Sequence, residues 1–371
     1  MTIYTHITGW GKYIPRTVLT NADLATIVDT SDEWIVAHTG IKERHVAVGD
    51  ETTCTMAAQA ARDALAVAGL TPQDLDLIIV STSSPDRQLP GAAFIVQSLL
   101  GADNAAAFDL RSGCSGFLYS MSTASQFIRN GVYKRALVVG SEVVSRNLNW
   151  QDRRTCCLFG DGAGAVILEA SETSGGLLYT GLGAQGKDFE ALTVKSGGSQ
   201  YPMCPITVER HWNTVELDGH KTASFAIRTL LRRANEAVTN AGLTWDDIEL
   251  FIPHQANIRL IEATCEKLGV PLERTFVNVD RYANMSTASL AVALAEAAEQ
   301  DRVKPGDHVL LVAFGAGLAW ATAVIQWGAA VSQQQSGLQR TWRRLRARLT
   351  TLTLQARLAL YDLNNRLRHK K

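Results

Sequence analysis

The sequence has no apolar run approaching the ~20 residues that a membrane-spanning helix requires, which argues against an integral membrane protein. Its start, MTIYTHITGWGKYIP, lacks the charged beginning, apolar stretch and small-residue cleavage site of a secretory signal. The six cysteines (54, 114, 156, 157, 204, 265) have neither metal-ligand spacing nor the pattern of a disulfide framework. Cys156 and Cys157 are adjacent, which disfavours a strain-free bridge between them. The expectation is a cytoplasmic protein with no metal site. With 36 Lys/Arg against 36 Asp/Glu there is also no overall excess of positive charge to suggest a nucleic-acid partner.

That balance conceals two unlike parts. Residues 338–371 hold ten Lys/Arg and one acid, Asp362, so the preceding residues are acidic by about nine charges. Within the acidic part, AGLTPQDLDLIIV (68–80) and AGLTWDDIELFIP (241–253) share seven of thirteen positions at a separation of 173 residues. Each follows an alanine-rich helical stretch and leads into an apolar strand. The first copy continues through a helix near 91–100, a strand near 105–110, a helix after Cys114 and a strand at 136–140. The second continues through a helix near 256–268, a strand near 275–279, a helix from 286 and a strand at 308–314. Strands at 164–170 and 319–326 would close each half. The order matches, and predicts a duplicated α/β protein in packed layers. Similar helix-stop chemistry in two independent αβ units is the alternative.

Candidate chemistry clusters at strand ends. Cys114 lies in DLRSGCSGF, between glycines, where a strand turns into a helix. A nucleophile needs that sharp turn and close approach of substrate, and the helix N-terminus should lower its pKa. A small buried hydrophobe is the competing reading. His254 follows a strand in FIPHQAN and reads equally as a surface loop residue. Asn284, in RYANMSTAS, could be an ordinary N-cap. FGAGLAW (314–320) could present backbone N–H groups to an oxyanion, or simply connect two strands. FGDGAG (159–164) lacks the Lys-Ser/Thr of a phosphate loop and reads as a turn.

Together GCSGF, PHQAN, YANMS and FGAGLAW resemble, in order and spacing, the ketoacyl-acyl carrier protein synthase III family of thiolase-like condensing enzymes. TSDEWIVAHTGIKERH (30–45) and FGDGAGA resemble two further signatures of that family. The resemblance covers roughly residues 1–328. It implies an α/β thiolase-like fold with two duplicated βαβ halves (1–175 and 176–328) in an αβαβα arrangement, followed by a linker and basic helix (329–371).

Carried over, it makes Cys114 the acyl-accepting nucleophile, and makes His254 and Asn284 the pair that promotes decarboxylation. Cys114 and Gly317 would supply the oxyanion-hole N–H groups. Trp34 and Arg153, with Thr39 nearby, would hold coenzyme A. Arg259 would dock the acidic carrier protein. Leu89 would reach into a partner subunit's acyl pocket, which implies a homodimer. Acyl-CoA and malonyl-acyl carrier protein are then substrates, and no cofactor is implied. His38, Ala283, Ser112 and Ala316 depart from the family pattern without removing a catalytic atom, and leave primer length open.

Within the superfamily, FGAGLAW lacks the second cysteine of thiolases, and elongating synthases use two histidines rather than His and Asn. Chalcone-type synthases share Cys-His-Asn, but PHQAN and TSDEWIV favour the synthase III branch. A specialised secondary-metabolism synthase, a non-decarboxylating acyltransferase and an idle acyl-binding scaffold are the alternatives. In the tail, Leu338, Trp342, Leu345, Leu349, Leu352, Ala356, Ala359 and Leu363 recur at helical spacing among arginines. That stripe could pack on the body or its mate, lie on an anionic membrane, or have no partner.

Overall fold

Leu77–Ser81 and Arg135–Val143 are nearly continuous apolar runs rather than alternating ones, the pattern of strands covered on both faces. In the computed structural model, which describes residues 2–328, they lie side by side at the middle of a sheet. The first sheet contains β1 (Tyr4–Tyr13), β2 (Leu77–Ser81), β3 (Ala106–Leu110), β4 (Arg135–Val143) and β5 (Asp161–Ser171). Its order is β1-β5-β4-β2-β3, with β2 parallel to β3 and β4, and β5 antiparallel to β1 and β4. The second contains β6 (Gly176–Ala184), β7 (Leu250–Pro253), β8 (His308–Gly315) and β9 (Ala319–Gln326), in the order β7-β8-β9-β6. Here β7 and β8 are parallel, and β9 is antiparallel to both neighbours.

The two sheets repeat one topology, so the duplication read from AGLT extends to strand order. The repeated motif also has the same local cause in both copies. Gly69 and Gly242 end helices at φ +70° and +75°. Thr71 and Thr244 then donate through N–H and Oγ1 to Asp74 and Asp247, at 2.7–2.8 Å, and so reverse the chain into the strand. One expected strand is missing: the segment near 275–279 makes only a bridge from Thr275 to Phe251. Its backbone is diverted into the short helix Val279–Tyr282 that precedes Asn284. The FGDGAG turn is also shorter than expected, since β5 begins at Asp161.

Five layers result. Helices α1 (Asp32–Thr39), α2 (Thr53–Ala68), α3 (Ala92–Leu100), α4 (Gly116–Arg129), α5 (Gly219–Asn240), α6 (Ile258–Leu268) and α7 (Ala288–Glu299) are the principal ones. The pair α2 and α3 covers the outer face of the first sheet, and α5 with α6 the outer face of the second. Between the sheets lie α4 and α7, sharing one core with both. The sequence of α7, ASLAVALAEAAE, is apolar all round because every side of it is covered. The fold is the thiolase-like αβαβα layering expected. The basic helix expected over 338–363 lies outside the described residues.

This layering fixes where chemistry can occur. The starts of α4 and α7 meet at the carboxyl ends of the parallel strands, the usual place for ligands in α/β sheets. A Cβ on Gly116 would sit 2.0 Å from Ser81 Oγ and 3.2 Å from Thr287 Oγ1, so only glycine permits that approach. Thr287 Oγ1 in turn donates to Ser81 Oγ at 3.1 Å.

Candidate active site

Cys114 stands between β3 and α4, in a single 3-10 turn (Gly113–Ser115), and is 5% exposed. Gly113 adopts φ +50°, and a Cβ there would strike Ala316 N at 2.8 Å. A Cβ on Gly315 would lie 2.5 Å from Cys114 N. The glycines in both motifs therefore let the 314–318 loop press its backbone against the cysteine. The N–H that reaches Cys114 Sγ belongs to Ala316. Gly317 lies one residue beyond, outside the cavity that contains Cys114 and Ala316. Of the two residues it is Ala316, not the expected Gly317, whose N–H is placed at the cysteine, and the Ala316 methyl does not alter that N–H.

Burial pushes the Cys114 thiol up to about 11. The expected lowering by the helix N-terminus is outweighed by desolvation, and the negative charge of Glu142 adds to the rise; Ser286 and the backbone N–H groups of Cys114 and Ala316 oppose it. At neutral pH the cysteine is thus a protonated thiol. Its Sγ donates to Ser286 Oγ at 3.5 Å.

Asn284 precedes α7 and is also buried. Ser286 N–H donates to its Oδ1 at 2.8 Å, and the Asn284 backbone is fastened to Leu158 O and Gly160 N. With Oδ1 so engaged, the amide orientation is fixed, and its NH₂ is left to address a substrate. Asn284 is thus not a helix N-cap. The loop is strained: Ala283 has φ +55°, ψ −162°, and Ser286 φ +51°.

His254 follows β7, its N–H bonded to Val312 O at 2.8 Å on the neighbouring β8. It is 1% exposed rather than a surface residue, and packs edge-on against Phe314 with ring centroids 5.1 Å apart. Burial without a charged partner pulls its pKa down to about 3, so the ring is neutral at working pH. Among the described residues its Nδ1 is buried without a partner, whereas Nε2 is not so enclosed. His254 leads back to Cys114 through Phe314 and Gly315, and Asn284 does so through Ser286.

Cys114, Ser286 and Ala316 form one wall of a cavity of about 290 Å³. Val144, Phe159, Leu192, Val194 and Val215 give it an apolar side, with Arg111 and Glu142 also present. His254 and Asn284 are not among its lining residues. The cavity thus reaches Cys114 and Ser286 but stops short of the His254 and Asn284 side chains.

The remaining expected residues are distributed around this centre. The Arg153 guanidinium lies over the Trp34 ring at 4.8 Å, and Arg153 Nη1 donates to Asp29 O at 3.0 Å. His38 stacks on the other part of this cluster, 4.3 Å from Trp34, with its Nδ1 2.7 Å from Trp34 O. Thr39 is different. It is 3% exposed, with Oγ1 donating to Ile35 O and accepting from Ile41 N, so its hydroxyl ends α1 instead of facing a ligand. Arg259 lies at the start of α6, exposed, joined to Ala37 O and Glu262. Leu89 is 86% exposed in the loop before α3.

Three contributors were not singled out from sequence: Ser286, Glu142 and Arg111. Ser286 was visible as the second residue after Asn284, and Glu142 as the lone acid inside an apolar strand, GSEVV. Arg111 carried no signal of its own.

The 3-oxoacyl-[acyl-carrier-protein] synthase III family model matches residues 108–186, and its C-terminal counterpart matches 238–327. A beta-ketoacyl-[acyl-carrier-protein] synthase III of Roseiflexus sp. (strain RS-1) is 48% identical over 329 residues, covering 89% of this chain and all of the relative. The solved 3-oxoacyl-[acyl-carrier-protein] synthase III of Aquifex aeolicus VF5 is 42% identical with a TM-score of 0.81, across 87% of this chain and all of that one. The priming beta-ketosynthase of the R1128 polyketide pathway is 33% identical with the same TM-score, across 88% of this chain and 97% of that one. Matches of this extent and identity, over a chain that holds Cys114, His254 and Asn284, place it in the beta-ketoacyl-[acyl-carrier-protein] synthase III family.

Proposed function

We propose that the protein catalyses decarboxylative condensation of an acyl-CoA primer with malonyl-acyl carrier protein, at the initiation of fatty acid synthesis, through an acyl-Cys114 intermediate. The observation that carries this reading is the bonded chain Cys114–Ser286–Asn284. It ties the nucleophile of one half to the fixed amide of the other.

In the first half-reaction the Cys114 sulfur attacks the thioester carbonyl, and the N–H groups of Cys114 and Ala316 receive the oxyanion. The acyl chain occupies the cavity beside Val144, Phe159 and Val194. In the second, malonyl thioester binds with its carbonyl beside His254 and Asn284. His254 Nε2–H and the Asn284 NH₂ donate to its carbonyl oxygen as carbon dioxide leaves and an enolate forms. A histidine that stays neutral suits this role, because it donates without giving up its proton. The enolate carbon attacks acyl-Cys114, and collapse of the oxyanion returns the cysteine and leaves a 3-ketoacyl thioester. The scheme uses no metal and no cofactor.

Trp34 and Arg153 would take the coenzyme A adenine between ring and guanidinium, with His38 bracing Trp34. Arg259 would meet the acidic carrier protein. Leu89, too exposed for an isolated leucine at a loop tip, would enter a second subunit of a homodimer. We place the enzyme in the cytoplasm, with residues 338–371 as a reversible contact to anionic membrane. Ten positive charges alongside an apolar stripe support that contact. Truncation after Gly337 should then abolish co-sedimentation with anionic liposomes and leave condensation intact. Equal liposome binding by both forms would refute it.

The deciding experiment incubates the protein with mixed acyl-CoA primers, weighs the adduct on Cys114, and then follows carbon dioxide release from malonyl-carrier protein. An adduct followed by stoichiometric carbon dioxide supports the proposal; an adduct with no decarboxylation points to simple acyl transfer. Priming of a polyketide is the second reading, favoured by the 33% identity to the R1128 enzyme.

A further inference from the structure

One buried acid in the site has no part in the scheme above. Glu142, the penultimate residue of β4, is 1% exposed and lines the Cys114 cavity. Its two oxygens accept from Ser83 N at 3.0 Å, Ser84 N at 3.1 Å, Ser84 Oγ at 2.5 Å and Thr82 Oγ1 at 3.3 Å. The remaining donor is Ser286 Oγ, at 3.1 Å from Oε1. The two backbone N–H groups can only donate and the three hydroxyls can do so, a set that suits a proton-accepting carboxylate. Burial raises its pKa, so that it holds a proton more readily than an exposed acid.

The directions of these bonds matter. Cys114 Sγ–H donates to Ser286 Oγ, and Ser286 Oγ–H donates to Glu142 Oε1. The backbone that sets Ser286 between them is held at φ +51°, a conformation serine adopts only under constraint. Its N–H is occupied by Asn284 Oδ1, which keeps the hydroxyl aligned.

We propose that Ser286 and Glu142 form a proton relay that deprotonates Cys114 as it attacks the acyl-CoA primer, with Glu142 as the terminal proton acceptor. The S–H bond breaks and its proton passes to Ser286 Oγ, while the Ser286 proton passes to Glu142 Oε1. The S–H electron pair forms the new S–C bond. The carbonyl π pair moves onto oxygen between the N–H groups of Cys114 and Ala316. When the tetrahedral intermediate collapses, the C–S bond to coenzyme A breaks, and the departing thiolate takes a proton back from Glu142 through the same hydroxyl. The relay resolves a difficulty that the buried site creates. A thiol pushed up to about 11 needs a base, and His254, pulled down to about 3, is a poor one.

The proposal rests on Cys114 being acylated, so the wild-type adduct is measured first; its absence would reject the parent reading instead. Two rates are then compared at one neutral pH, both read at the Cys114 peptide by mass mapping. They are acyl transfer from acyl-CoA and alkylation by iodoacetamide, which needs only a thiolate. Glu142→Gln removes the acceptor and also the negative charge that disfavours the thiolate. Acyl transfer should fall about 10²-fold, the scale of a lost general base, while alkylation holds or rises. A merely structural role would lower both together. Ser286→Ala cuts the relay and leaves the Ser83 and Ser84 bonds of Glu142 in place, so it guards against misfolding of the first variant. It should reduce acyl transfer at least tenfold. Acyl transfer within twofold of wild type in Ser286→Ala, or parallel losses of both rates in Glu142→Gln, would overturn the relay.

Discussion

The Ser286 backbone N–H lies 2.8 Å from Asn284 Oδ1, and this one bond decides what the asparagine can do. An amide with its oxygen engaged can only donate with the nitrogen it has left. Asn284→Asp would replace that donor by a carboxylate oxygen facing a developing enolate. The expected loss in malonyl decarboxylation is about 10²–10³-fold, the range for one oxyanion donor, with acylation of Cys114 retained. Carbon dioxide release and the Cys114 adduct mass, measured in parallel, check both halves of the statement.

Ala283 occupies φ +55°, ψ −162°, a region nearly reserved for glycine. Strain of roughly 1–3 kcal/mol would be relieved in Ala283→Gly. Against that stand a backbone entropy cost of ~0.5–1 kcal/mol and a lost buried methyl worth ~0.8 kcal/mol. The balance runs from about −0.8 to about +1.7 kcal/mol, so the denaturant midpoint should move by less than about 2 kcal/mol equivalent. Ala283→Val has no such compensation, because a β-branched side chain at positive φ adds strain and must enter a site with no exposed surface. It should be less stable by about 3 kcal/mol or more. A valine variant as stable as wild type would contradict the geometry.

His254 also sets a pH dependence of stability. Its folded pKa, about 3, lies below the ordinary 6.5 of an exposed histidine. Between those values the unfolded chain binds a proton that the folded one refuses, so stability rises with pH there. The contribution is complete above 6.5 and is lost as the pH falls towards 3, by a few kcal/mol in all. His6, also lowered by burial, acts in the same sense. Glu142 and Asp161, raised by burial, act in the opposite one. Comparing His254→Gln with wild type isolates the histidine. The variant should lose less stability between pH 6.5 and 4.5 in denaturant titrations.

The layered fold was legible because helix stops and strand starts repeat with the same chemistry. Thr71/Asp74 and Thr244/Asp247 make the same turn, and sequence shows both pairs. The close approach at Cys114 was legible for a related reason: Gly113 and Gly315 bring two backbones together there. What sequence could not show was net electrostatics. Cys114 does sit at a helix start, as GCSGF suggested, but only the three-dimensional burial reveals that desolvation exceeds the helix effect. Thr39 is a further case: the motif places it near a ligand, and only the structure shows its hydroxyl bonded to Ile35 O and Ile41 N. That the N–H at Cys114 belongs to Ala316 and not Gly317 reflects backbone direction, which residue identity does not encode.

Thiol reactivity should follow this burial. Cys204 is exposed, and N–H and hydroxyl donors from Thr207 lower its pKa, whereas Cys114 stands near 11. At pH 7.5 iodoacetamide should therefore label Cys204 well before Cys114, in spite of the latter's role. Alkylation of Cys114 should climb about tenfold per pH unit as its thiolate fraction grows. Preferential labelling of Cys114 at neutral pH, seen by peptide mapping, would show a thiolate already present and contradict the raised pKa.

The last expectation concerns the entrance. The Arg153 guanidinium rests 4.8 Å from the Trp34 ring centroid, a separation that leaves no room for a third planar group. To receive adenine, Arg153 must leave the ring and its contacts with Asp29, an exposed ion pair at 3.8 Å that offers little resistance. The arginine then contributes through binding rather than through chemistry, since it touches none of Cys114, His254 or Asn284. Arg153→Ala should raise KM for acyl-CoA about tenfold, the scale of ~1–2 kcal/mol for a cation–π contact shielded from water. Turnover at saturating acyl-CoA should be unchanged, the signature of uniform binding. KM for malonyl-carrier protein should also stay constant unless the two substrates share the same entrance. A fall in kcat with unaltered KM for acyl-CoA would mean that Arg153 acts on the reacting centre, and the placement of adenine beside Trp34 would have to be abandoned.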